Sequence, residues 1–336
     1  MSTRLLRRLT AAALVLALGI IMLGAWVRLN DAGLGCPDWP GCYGHALVQP
    51  GAGVEPAKAW KEMIHRYFAG SFGLLVMVLA VIAWRRGKGR ERWLLPLAAL
   101  VVVFQAALGA WTVTMKLEPA VVMGHLLGGF TMAVLLWLTW LGLIGSRPVG
   151  GVQRGLVTLS RVALGVIILQ VMLGGWTSAN YAALACPDFP MCRGSWWPHA
   201  NFAAAFVPWH KLGVSYQYGV LGGPARVAIQ LVHRIGALVT AGVVGTLAVR
   251  CLRSGMPRLE RSGSMLLALL GLQFALGIGN VLLGLPLPVA VMHNGVAALL
   301  VLAVAYHADV LRSVRSVAVD ASSEAAAEAS EPAVAE

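Results

Sequence analysis

Eight apolar stretches of about 20 residues, nearly free of charge, constrain this chain more than any other feature. They lie near 9–29, 63–84, 93–115, 121–144, 156–178, 228–249, 264–284 and 289–308. At about 1.5 Å of rise per residue, each is long enough to cross a hydrocarbon core roughly 30 Å thick. A backbone in hydrocarbon has no water to bond, so each run is expected to be a helix that satisfies its own N–H and C=O groups. Only 12% of the 336 residues are charged and 58% are hydrophobic, against about 25% charged in soluble domains. The expected class is therefore an all-α integral membrane protein with eight transmembrane helices.

The net charge of +12 would suggest a nucleic-acid partner in a soluble protein, but the placement of the charges argues otherwise. Arg4, Arg7 and Arg8 precede the first run, and Arg85, Arg86, Lys88, Arg90 and Arg92 fill the second connection. Arg147, Arg154 and Arg161 surround the fourth connection, Arg250, Arg253, Arg258 and Arg261 the sixth, and Arg312 and Arg315 follow the last run. These are 17 of the 26 Lys and Arg, all on alternate connections. By the positive-inside rule both termini are expected in the cytoplasm, with the long loops near 30–62 and 179–227 outside. The first run is longer than the apolar part of a signal peptide, and no transit sequence precedes it, so a bacterial inner membrane is expected. Residues 313–336, rich in Ala, Glu and Ser, read as a disordered acidic tail.

The chain repeats itself. LGAWVRLNDAGLGCPDWPGCYG at 23–44 and LGGWTSANYAALACPDFPMCRG at 173–194 share 12 of 22 positions at an offset of 150. EMIHR at 62–66 then matches QLVHR at 230–234, QAALG at 105–109 matches QFALG at 273–277, and His125 matches His293, all at 168. The second copy thus carries about 18 more residues in its first outer loop, within 195–227. Residues 1–150 and 151–312 are expected to form two tandem, pseudo-symmetric four-helix bundles with an axis along the membrane normal.

His65 and His125 in the first copy correspond to His233 and His293 in the second. Each lies in the first turns of an even-numbered run, so all four share one depth near the outer face. A lone histidine there is usually just hydrogen-bonded at the interface. Matched pairs, with neither thiolates nor carboxylate clusters beside them, fit axial ligation of haem iron better than a zinc site. Gly124, Gly128, Gly129, Gly236 and Gly295 would leave room for a flat macrocycle, although glycine also serves helix packing. Arg66 and Arg234 are placed to meet haem propionates, or equally to reach lipid headgroups. His45, His199, His210 and His307 have no repeat partner and read as structural.

Cys36 with Cys42, and Cys186 with Cys192, fall in outer loops at a spacing unlike zinc hairpins, so two short-range disulfides are expected. They either brace the loops or exchange electrons with another protein. Cys251 stands alone as a free thiol. Glu62 precedes His65 by three residues, sharing a helix face with it, where the second copy has Gln230. It is available for proton transfer, or is only a favourable charge at a helix start.

GLGCPDWPGC, EMIHR, GHLLGG, LVHR and VMHNG, taken together, resemble the haem A synthases over nearly all of residues 10–310. The resemblance implies oxidation of the C8 methyl of haem O to the formyl group of haem A, for terminal haem-copper oxidases of the respiratory chain. It implies a catalytic Glu62, substrate haem O on His65 and His125, and a resident haem b on His233 and His293. The partners implied are haem O synthase, oxidase assembly factors, an electron donor the sequence does not identify, and membrane lipid. A homo-oligomer is compatible with this set, and nucleic acid is excluded. Many relatives lack one or both cysteine pairs, so a function common to the family cannot depend on Cys36, Cys42, Cys186 and Cys192. Without the resemblance, a di-haem electron-transfer protein of the cytochrome b561 or quinol-oxidising type stays open. A transporter is disfavoured because no charge lies deep in a span.

Overall fold

The computed structural model describes residues 3–49, 55–146, 149 and 154–328, with side chains placed up to residue 311. Arg147 of the basic clusters, the boundary at 150/151 and residues 329–336 lie outside the described residues. Eight long apolar helices are present: α1 (Thr3–Leu29), α2 (Pro56–Arg86), α3 (Glu91–Thr114), α4 (Pro119–Leu143), α5 (Arg154–Ala179), α7 (Gly223–Leu252), α8 (Pro257–Leu282) and α9 (Leu287–Glu328). The described residues contain no strand. The chain is a multi-pass, all-α membrane protein.

The helices begin about two to seven residues before the apolar runs do, because a polar first turn can stand in the headgroup region. Proline opens α2, α4 and α8 at Pro56, Pro119 and Pro257, where its missing N–H costs nothing and its fixed φ suits the first turn. The short α6 (Phe202–Ala205) was not expected from the sequence. Asn201 caps it, its Oδ1 accepting from Ala204 N at 3.0 Å. It lies in the extra residues of the second copy. At the other extreme, α9 continues to Glu328 where a disordered tail was expected. Alanine and glutamate there are strong helix formers, and they prolong the span beyond the apolar stretch, which ends at Leu311.

Packing follows the repeat. In the first copy α1 packs on α2 and α4, and α3 on α2 and α4; in the second α5 packs on α7 and α9, and α8 on α7 and α9. The copies meet through α1 with α9, through α5 with α4, and through α4 with α9. The first two contacts are repeat-equivalent. Each copy has its own apolar cluster, Leu79, Leu95 and Leu136 being central to one and Leu247, Leu259 and Leu266 to the other. Both clusters draw on the ends of the helices nearest the basic connections. Cross-links between copies at that end include Arg90, which holds Asp309 through two bonds of 2.6 and 3.0 Å, and Arg258, which donates to Ser146 Oγ at 2.8 Å. The opposite end, where the histidines and cysteine loops lie, has only smaller apolar clusters, around Trp176 and Ile229, around Leu231, and around Met63.

Candidate haem site

Each paired histidine lies against a glycine of a neighbouring helix of its own copy, on α1, α3, α5 and α8 in turn. A Cβ on Gly24 would fall 3.1 Å from His65 Cε1, and one on Gly109 3.5 Å from His125 Cε1. In the second copy Gly174 stands 3.3 Å from His233 Cε1, and Gly277 3.1 Å from His293 Cε1, on the same measure. These four glycines belong to the repeated LGAW/LGGW and QAALG/QFALG segments. Their recurrence in the repeat is visible in the sequence, but their contact with the imidazoles depends on how the helices pack. The spaces beside the glycines singled out in the sequence are filled by packing. The Gln105 amide occupies the space beside Gly128, Gln170 that beside Gly236, Met22 that beside Gly295, Ile21 that beside Gly129 and Leu108 that beside Gly124.

The rings of His65 and His125 lie 6.5 Å apart, centre to centre, at 77°. Metal–imidazole bonds of about 2 Å, plus the ring radius on each side, put two axial imidazoles a little over about 6 Å apart. The separation of the rings therefore matches that of two imidazoles on one metal atom. The Nδ1 atoms of His65, His125 and His293 are buried without a partner, which is rare enough in a folded interior to mark a functional place. Among the described residues no cluster of three His, Cys, Asp or Glu could hold a bare metal ion. Two opposed imidazoles in a glycine-lined space instead suit an iron that brings its own macrocycle.

The cysteine loops close over this end. Cys36 is joined to Cys42 and Cys186 to Cys192, with Cα atoms 4.9 and 4.6 Å apart. After each second cysteine the chain reverses through two residues of positive φ, Tyr43–Gly44 and Arg193–Gly194. Cys42 and His45 exchange backbone bonds of 2.8 and 3.1 Å, and Cys192 and Ser195 bonds of 2.9 and 3.1 Å, as a tight hairpin turn requires. Asp38 accepts from Tyr43 N and Gly44 N, both at 2.6 Å, and Asp188 from Arg193 N at 2.5 Å and Gly194 N at 2.8 Å. The Gly194 amide chiefly holds the Asp188 carboxyl below its usual range, against the opposing effect of burial and with the Arg193 amide adding to it.

Arg66 and Arg234 support these loops from below. Arg66 donates to the carbonyls of Asp38 at 2.8 Å and Gly41 at 2.5 Å. Arg234 donates to those of Asp188 and Met191 at 2.8 Å and Cys186 at 3.0 Å. The copies diverge at the next contact. Glu62, buried, pairs with Arg66 and accepts from Cys36 N at 2.9 Å. Its counterpart Gln230 is buried too, with Oε1 unpartnered.

A family model described as cytochrome oxidase assembly protein, COX15-CtaA, matches residues 7–305. The chain belongs to this family. A relative named Heme A synthase, from Shewanella oneidensis, is 48% identical over 305 residues, covering 86% of this chain and 91% of its own. Heme A synthases of Halalkalibacterium halodurans and Granulibacter bethesdensis are 27% and 28% identical, over 91% and 84% of this chain and 95% and 81% of theirs. The electron-transfer alternative finds no support among these relatives. Within the cytochrome oxidase assembly family, then, this chain sets two imidazole pairs under two disulfide-closed loops, and only one loop rests on a carboxylate. The remaining histidines are placed elsewhere: His307 is buried between Ser262 Oγ at 3.0 Å and the Ala303 carbonyl at 2.8 Å, and His210 faces Glu118 at 3.5 Å. Cys251 is a buried free thiol.

Proposed function

We propose that this chain is an enzyme that oxidises haem O to haem A for haem-copper oxidase assembly. The observation that carries the reading is the imidazole pair His65–His125, at the separation of two axial ligands, one helical turn from a buried carboxylate that the second copy lacks. Similarity to named Heme A synthases over most of both chains supports the chemistry.

In this reading residues 1–150 bind haem O through His65 and His125, with its C8 methyl as the reacting group. Residues 151–312 hold haem b through His233 and His293. Haem b, when bound, supplies one-electron transfer. The protein does the rest. Gly24 and Gly109 let the substrate-side imidazoles approach closely and keep their orientation. Glu62 handles the proton at its carboxylate oxygens, which the Cys36 N–H and the Arg66 guanidinium hold in a fixed place. The disulfide loop acts as a frame for that carboxylate, which needs the bridge for shape and not for electrons. Both termini lie in the cytoplasm of a bacterial inner membrane, and haem O synthase, an electron donor and oxidase assembly factors are the partners.

Replacing Glu62 by Gln conserves shape and removes proton exchange. General acid–base contributions are about 10²–10⁴-fold, so haem A extracted from cells carrying Glu62→Gln should fall on that order, with normal protein and bound haem. Near-normal haem A would overturn the catalytic role of Glu62, and haem A that persists without the gene would overturn the enzyme.

A further inference from the structure

Among the four paired histidines only His233 has a partner on Nδ1. The Gln170 amide, on α5 one turn before Gly174, stands 3.2 Å from His233 Nδ1 and donates through Nε2 to the His233 carbonyl at 3.1 Å. The Nδ1 atoms of His65, His125 and His293 have none. At the repeat offset of 150, Gln170 corresponds to Ile20, which can make no hydrogen bond. Its place is shaped for it: a Cβ on Gly236 would fall 2.3 Å from Gln170 Oε1, so only glycine there leaves room for the amide.

We propose that Gln170 is a positioning residue for His233 and, through this hydrogen bond, lowers the reduction potential of the haem in the second copy. The proposal rests on the reading that His233 and His293 bind haem b. An imidazole that binds iron through Nε2 keeps its proton on Nδ1, so whatever meets Nδ1 must accept. Gln170 supplies that acceptor by a half-turn of its amide, which brings the buried, unpartnered Oε1 to Nδ1–H and gives up the Nε2 bond to the His233 carbonyl. A bond of this kind fixes the ring and makes the ligand more basic. A more basic ligand favours ferric over ferrous iron. The haem on His233 is thereby the better electron donor, while Ile20 leaves His65 without that assistance. The repeat has thus separated a donor haem from a substrate haem by one side chain outside the ligand set, in addition to the Glu62/Gln230 difference.

The test is potentiometric titration of the purified holoprotein, following the haem b absorption, with electron paramagnetic resonance of the ferric form. Gln170→Met, close in shape and unable to accept strongly, should raise the haem b midpoint and shift the ferric signal. Gln170→Glu, a stronger acceptor of similar shape, should lower the midpoint. Unchanged midpoints and signals in both variants at native haem content would overturn the proposal, as would shifts of the same sign in both. If Gln170→Met loses its haem, the sign in Gln170→Glu decides. The ligand reading is tested separately: a haem b spectrum that survives His233→Ala would overturn it, whatever Gln170 does.

Discussion

Tyr181 donates its hydroxyl to Asp31 Oδ1 at 3.0 Å, and these two residues occupy the same position in the two copies of the repeat, 150 residues apart. Arg28 and Ser178, another matched pair, also touch, with Arg28 Nη2 donating to the Ser178 carbonyl at 2.7 Å. Two repeat-matched pairs thus meet at the ends of α1 and α5, the contact that a two-fold axis passing between those ends would produce. Both Asp31 and Tyr181 adopt positive φ there, at 50° and 53°.

The first prediction concerns this seam. The Arg28 guanidinium also lies 3.8 Å from the centre of the Tyr181 ring, a contact worth about 0.5–2 kcal/mol. Arg28→Ala and Tyr181→Leu should each lower the thermal midpoint in detergent, and their effects should not add. A double-mutant cycle should return a coupling of about 0.5–3 kcal/mol. Strict additivity would mean that the copies are held together elsewhere.

A second prediction follows from Gly35. A Cβ there would fall 2.7 Å from the Lys58 carbonyl group, closer than real contacts allow, and the matched residue is Ala185. The Cys36 N–H reaches Glu62 because the loop sits this close to α2. Gly35→Ala should lift the loop and cost about 10²-fold in haem A formation, the scale of a misplacement of about 1 Å. Ala185→Gly should be silent. Haem extraction from complemented cells measures both, and equal effects would remove the asymmetry from the argument.

The third prediction concerns the ligands. His233→Ala and His293→Ala should each abolish the haem b spectrum, whereas His65→Ala and His125→Ala should keep it and lose haem A. Circular dichroism should show unchanged helix content in all four. Loss of every haem signal from His65→Ala alone would place the resident haem in the first copy.

The fourth is a pH dependence. Asp188 has a folded pKa below the ordinary 3.8, so its contribution to loop stability is fully present above pH 3.8. It is lost as pH falls through the lowered folded value. At neutral pH, Asp188→Asn should therefore increase proteolytic cutting of the loop around Cys186–Cys192. The wild-type loop should become comparably sensitive only in strong acid, and the variant should show no such acid step.

How far the sequence reaches is visible in particular residues. The spans, the repeat and the four matched histidines were legible, because hydropathy and self-similarity are properties of the string. Cys36–Cys42 and Cys186–Cys192 were also paired correctly, since short loops leave few choices. The loop contacts of the arginines were not. Arg66 and Arg234 follow histidines, and their guanidinium groups reach back across 20 to 50 residues to loop carbonyls. Nothing local in EMIHR or QLVHR encodes that distance.

By itself the sequence determined an eight-span, twice-repeated helical membrane protein with an imidazole pair in each copy. Those features follow from the hydrophobic effect and from periodicity along one dimension. Only the tertiary structure decided which glycines face the imidazoles, where Gln170 bonds, and that the Glu62 carboxylate is held by Cys36 N–H and Arg66. These depend on how close two helices come and which way a side chain turns. A difference of one methyl group, as between Gly35 and Ala185, has no visible weight in a sequence, and it takes effect only against a backbone 2.7 Å away.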